Sequence, residues 1–267
     1  MNGSKYIFID EEETMIQGES LFDLTGRVAL ITGGSRGLGR AMAFGLARAG
    51  ADLIVASRDQ DSCDATAREV GEATGQRVVG VGCHVGRWDA LDTLVERAYQ
   101  QFETVDILVN NAGSSPVVDD VVAAPEALFD KILDVNLKSV FRLTALIGSR
   151  MAAGAGGSII NVSSHVGFHP DMNAIPYAAA KAGVESLTLA FAQRFGPDVR
   201  VNCIRAGAFL TDISKAWPEK WLATVPPTYA LRRAGDPDEI VGTAVYLASP
   251  ASSYTTGTIL EVDGGIP

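Results

Sequence analysis

The chain is 267 residues long, 47% apolar and 20% charged, which is material enough to bury the core of one α/β domain. Its 28 glycines against 11 prolines suggest many tight strand-to-helix turns rather than disorder. The formal charge of −10, with no long Lys/Arg run to offset it, argues against nucleic acid as a partner, because such a surface repels phosphate backbones.

Residues 1–20 carry Asp10, Glu11, Glu12 and Glu13 and lack the basic-then-apolar order of a signal peptide. Nowhere do about eighteen apolar residues follow one another. A cytoplasmic protein without a membrane association is expected, with residues 1–20 as a mobile tail or as an arm on a neighbouring subunit. From Arg27 onward, short β-branched runs alternate with helical patterns. Val28–Thr32 reads as a strand and Leu38–Ala49 as an Ala-rich helix ending at Gly50. Asp52–Ala56 is the next strand, then a polar helix over about 61–73, strand Arg77–Cys83, helix Asp89–Phe102 and strand Asp106–Val109. A long helical region follows over about 125–151, then strand Ser158–Val162, helix Tyr177–Arg194 and strand Val199–Ile204. Pro237–Ala248 reads as a helix and Ile259–Val262 as the last strand. Apolar strands separated by helices imply a doubly wound, Rossmann-like parallel sheet of about seven strands with helices on both faces. No linker, composition shift or repeat divides residues 21–267, so one domain is expected.

Cys63, Cys83 and Cys203 are odd in number and far apart, without CxxC or Cys/His spacing. They read as buried reduced thiols rather than disulfides or metal ligands. The first strand runs into Thr32-Gly33-Gly34-Ser35-Arg36-Gly37-Leu38-Gly39 and then a helix. Glycines at 33, 37 and 39 allow a sharp turn and close approach to a pyrophosphate, for which the helix N-terminus supplies N–H groups and a positive dipole end. Tyr177 and Lys181 stand four apart at a helix start, so they share a face, with Pro176 suited to its first turn. A neighbouring ammonium is expected to lower the phenol pKa from about 10 and make Tyr177 a usable acid/base.

The T-G-x-x-x-G-x-G spacing resembles the short-chain dehydrogenase/reductase family, and the resemblance extends over about 22–265 with the motifs in order. It implies that Ser164, thirteen residues before Tyr177, polarises a substrate carbonyl. It also implies that Asn136, forty-one before, holds a water next to Lys181. Asn110-Asn111-Ala112-Gly113 then stabilises the sheet and borders the cofactor. A mid-helix Asn is otherwise mildly unfavourable, which supports a role for Asn136. At the second strand end, Ser57-Arg58 lacks the acid that holds a ribose 2′-hydroxyl, and Arg58 with Arg36 suits a 2′-phosphate. NADP(H) is therefore expected over NAD(H), with Ser35, Leu38, Phe209 and Thr211 completing its site and Asp59 read as loop solvation. Two departures stand out. Cys83-His84-Val85 replaces the family's Asp-Val, so His84 bonds or stacks on the adenine, or faces solvent while Val85 offers its backbone. Arg205-Ala206 replaces a small residue and a proline, so the loop is less rigid and Arg205 either attracts an anionic substrate or points into solvent.

These features imply hydride transfer between NADP(H) and a ketone or secondary alcohol, with Asn136, Ser164, Tyr177 and Lys181 catalytic and no metal. A 3-oxoacyl thioester or a polyol also fits as substrate, and a non-catalytic nucleotide sensor is the alternative function. His165–Ile175 and residues 209–229 are expected to line the pocket with Phe168, His169, Met172, Trp217 and Trp221. The helix Tyr177–Arg194, apolar on more than one side, predicts a homodimer or homotetramer.

Overall fold

Each β-branched run forms a strand of one sheet in the computed structural model, which describes residues 20–267 except 117–119, 213, 215, 216 and 218. The strands are β1 (Val28–Thr32), β2 (Asp52–Ser57), β3 (Val78–Gly82), β4 (Ile107–Asn110), β5 (Gly157–Ser164), β6 (Val199–Ala206) and β7 (Ile259–Val262). Their order is β3-β2-β1-β4-β5-β6-β7 and every neighbouring pair is parallel. Parallel neighbours need crossovers, supplied by α1 (Gly37–Arg48), α2 (Gln60–Thr74), α3 (Trp88–Gln101), α4 (Glu126–Leu133), α5 (Ser139–Ala153) and α6 (Ile175–Phe195). Two shorter helices, α7 (Glu219–Thr224) and α8 (Val241–Ala248), lie between β6 and β7. The tail expected over 1–20 lies, but for Ser20, outside the described residues. No described helix is long and apolar enough to cross a membrane.

Alternation along the strands builds two cores. Ala29 and Ile31 face one side with Met42 and Leu46 of α1, Val70 of α2 and Ala244 and Leu247 of α8. Val28 and Leu30 face the other with Leu91 and Leu94 of α3, Ile147 of α5 and Phe195 of α6. The helices therefore cover both faces, and the direction in which successive strands are added reverses between β1 and β4. The crevice at that switch, beyond the carboxyl ends of the strands, is where such a sheet binds ligands.

Two differences from the expected elements bear on the site. The helical region over 125–151 is one run from Glu126 to Ala153, but Asp134–Lys138 within it is a π-helical turn. The helix α7 was not expected at all. The six-residue segment is too short for a periodic pattern to emerge.

Candidate active site

The turn after β1 is built by packing. Gly33 has φ of +65°, and a Cβ there would lie 2.9 Å from Ala112 Cα. A Cβ on Gly39 would lie 2.2 Å from the Gly33 carbonyl oxygen, so neither position tolerates a side chain. The loop after β4 is stapled to this turn. Asn111 and Ala112 N–H groups each donate to Thr32 Oγ1 at 3.1 Å, and Asn111 Nδ2 donates to Thr32 O at 3.0 Å. Arg36 is the residue before α1 and its side chain makes no cap, so the first-turn N–H groups of α1 stay open to an anion. Gly37 leaves space above them, its nearest neighbour being Thr211 of the loop after β6. Leu38 packs against the core and anchors the turn. These residues fit a dinucleotide pyrophosphate.

At the end of β2, Ser57 Oγ sits 2.9 Å from Ser35 Oγ and 3.1 Å from Cys63 Sγ. Arg36 and Arg58 are exposed, and neither has an ion-pair partner among the described residues. Asp59 is not loop solvation. It caps α2, accepting from Ser62 N at 2.8 Å and Ser62 Oγ at 2.5 Å, and these two donors, the hydroxyl foremost, hold its carboxyl below the usual range. His84 is half-buried and its Nδ1 accepts from Gly86 N at 3.1 Å, which leaves Nε2 as the donor of the neutral ring. Val85 is buried in the core beside it. All three cysteines are buried free thiols, and burial pushes Cys83 up to about 11 and Cys203 up to about 12.

Ser164 ends β5, and Tyr177 lies in the first turn of α6 with Pro176. The Ser164 hydroxyl adjoins the Tyr177 phenol. One turn on, Lys181 is 3% exposed, its Nζ 5.6 Å from the Tyr177 ring centroid and donating to Val162 O at 2.8 Å. Burial brings the Lys181 ammonium down to about 8. Burial also raises Tyr177, opposed only by Ser164, so the lowered phenol expected from the neighbouring lysine is not found. Tyr177 keeps some exposed surface, but its phenol is crowded and the phenolate loses its hydration, while the ammonium is directed at Val162 O.

Asn136 is wholly buried in the π turn. Its Nδ2 donates to Ile132 O at 2.9 Å and Ser114 O at 2.8 Å, and its Oδ1 accepts from Ser114 N at 3.1 Å. The asparagine thus competes with the helix, as the residue type predicts, and holds the loop after β4. A Cβ built on Gly113 of that loop would lie 3.1 Å from Asn136 Oδ1 and 3.7 Å from Lys181 Nζ, so the three converge.

Behind these residues lies a network that sequence reasoning missed. Arg205 neither attracts an anion nor points into solvent. It is 7% exposed, and its Nε and Nη2 donate to the two oxygens of Glu185 at 2.9 and 2.7 Å. Its Nη1 donates to Glu261, and these carboxylates, Glu185 foremost, raise the guanidinium further. Ser163 Oγ bonds Glu185 Oε1 at 2.9 Å and Lys181 O at 3.1 Å. Register places Ser163, Arg205 and Glu261 side by side on β5, β6 and β7. The available signal was Glu185, which continues the four-residue spacing of Tyr177 and Lys181 along α6. Ala206 continues β6 between Ser164 and Val262 where a proline would interrupt it.

On the open side, Phe168 lies over Arg205 at 4.4 Å, and His165 stacks on His169 at 4.8 Å. Trp217 and Trp221 lie with ring centroids 4.6 Å apart and planes tilted by 53°. The Phe209 side chain is buried in the core, so only its backbone borders the crevice. Thr211 O accepts from Ser214 N at 3.0 Å.

Residues 33–267 match the family model described as enoyl-(acyl carrier protein) reductase. The chain is 36% identical over 245 residues to dehydrogenase/reductase SDR family member 4 of Sus scrofa, covering 91% of this chain and 88% of that one. It is 38% identical over 252 residues to 2-dehydro-3-deoxy-D-gluconate 5-dehydrogenase of Pseudoalteromonas atlantica, covering 91% and 97%. The L-sorbose reductase of Gluconobacter frateurii, solved with NADPH and L-sorbose, superposes with a TM-score of 0.86 at 29% identity, covering 92% and 98%.

Proposed function

Since the chain belongs to the short-chain dehydrogenase/reductase family, we propose that it is an NADP(H)-dependent oxidoreductase interconverting a ketone and a secondary alcohol, a carbonyl reductase in its reductive direction. The observation that carries this is the Tyr177 phenol beside the Ser164 hydroxyl, with the Lys181 ammonium buried below its ring. The bound nicotinamide supplies or accepts the hydride. Ser164 and Tyr177 hold the carbonyl oxygen between two hydroxyls, and Tyr177 gives up its proton as charge develops there. A raised phenol pKa keeps that proton in place until the substrate arrives. Lys181 spends one N–H on Val162 and has others for a ribose hydroxyl and for the proton path past Asn136 and Gly113.

Preference for NADP(H) over NAD(H) is supported by exposed Arg36 and Arg58 beside Ser35 and Ser57, and by the NADPH in the sorbose reductase structure. Gly33, Gly37, Leu38, Gly39, His84, Val85, Asn111, Ala112, Gly113, Phe209 and Thr211 complete the proposed cofactor site. Residues 21–267 act as one domain, in the cytoplasm, as a homodimer or homotetramer. Tyr177→Phe is expected to lower kcat by about a thousandfold while NADPH affinity stays within about twofold. Retained turnover, followed by NADPH absorbance over a ketone panel, would take Tyr177 out of the reaction.

A further inference from the structure

We infer that the site selects a bulky, uncharged, apolar ketone and turns away carboxylates. The inference rests on the ketone-reducing function proposed above and narrows its substrate class. β5 and β6 are parallel neighbours, so the loops leaving their carboxyl ends flank the Ser164–Tyr177 pair together. One loop exposes Phe168 (58%), Met172 (81%) and Ile175. The other exposes Leu210 and carries the adjoining rings of Trp217 and Trp221. Large apolar side chains left in water at one mouth are what an apolar ligand would cover.

Charge points the same way. Arg205, the buried guanidinium beside the loop after β5, is shared by two carboxylates, Glu185 and Glu261, and its face is covered by Phe168. That group therefore carries a net charge of −1 rather than +1. Close by, His165 Nδ1 stands 3.7 Å from Asp263 Oδ2, and burial, followed by His169, lowers its pKa. Lys181, the other buried cation, gives one N–H to Val162 and lies below the Tyr177 ring. In sequence the two loops carry Asp171, Asp212 and Glu219 against Lys215 and Lys220. A carboxylate entering here loses its water and meets carboxylates, whereas a hydrocarbon substituent meets rings. One relative is named for a gluconate, itself a carboxylate. On these grounds this chain differs from it in substrate.

The test uses the full-length protein and two near-isosteric ketones, 4-isopropylcyclohexanone and 4-oxocyclohexane-1-carboxylate. Ligand-observed NMR against the NADP⁺ complex is expected to rank the isopropyl ketone tighter by about tenfold or more, and kcat/KM with NADPH to follow the same order. Equal affinities, tighter carboxylate binding or no binding of the isopropyl ketone overturns the inference, even if both ketones are reduced. The expected ranking in binding with turnover of neither keeps the inference and removes the ketone-reducing function. Glu261→Gln leaves Arg205 one carboxylate, and is expected to narrow the binding ratio by about threefold. An unchanged ratio overturns the assignment of the selectivity to Arg205 compensation.

Discussion

At Lys181 burial and function pull against each other. The ammonium must stay charged to favour an oxyanion at Tyr177, yet its surroundings bring it down to about 8. It is charged below that value and neutral above it, so reductive kcat/KM is expected to fall as pH rises through about 8. A pH profile flat to about 10 would separate the ammonium from the reaction. Arg58 acts at the other end of the site. Arg58→Asp is expected to shift the NADPH-to-NADH ratio of kcat/KM by about tenfold or more toward NADH, and an unmoved ratio would deny it a 2′-phosphate. Tyr177 and Lys181 were legible because their spacing is local. Arg205 was not, because its partners lie 20 and 56 residues away and only the sheet brings them together.

Among the elements, α6 is the least ordinary. Its buried side carries Lys181, Glu185 and Thr188, while Ala179, Ala182, Leu189 and Ala190 face outward. The inward polar groups are satisfied, Glu185 by Arg205 and Ser163 and Thr188 by Asn161 Nδ2 at 2.9 Å. The apolar spread over this helix was visible in the sequence, but which side met the sheet was not. The π turn was equally hidden, since one additional residue in a helix alters neither composition nor the flanking pattern. Asn136 holds it to Ser114, so Asn136→Ala strips partners from a half-buried N–H and two carbonyls. A cost of about 2 kcal/mol is expected in urea unfolding, and a loss under about 0.5 kcal/mol would show that water replaces the amide.

For the whole molecule, alternating strands and helices made the sheet legible, because right-handed crossovers leave few ways to arrange parallel strands. What covers the outer side of α6 is a matter of assembly. Leu189 is 48% exposed there and Phe141 of neighbouring α5 is 42% exposed. A second copy is expected to cover both, so the protein should sediment as a dimer or tetramer and Leu189→Asp as a smaller species. A monomer at micromolar concentration would refute this.

The π turn at Asp134–Lys138 also means that the site is kept by a count of residues. Removing one residue from it, Val135 for instance, restores the ordinary winding and swings whatever precedes the cut by about 100° about the axis shared with α5. Asn136 then cannot face Gly113 while α4 keeps its seat. A one-residue deletion in this helix is therefore a sharper lesion than many substitutions, and chains that share the site should share the surplus residue.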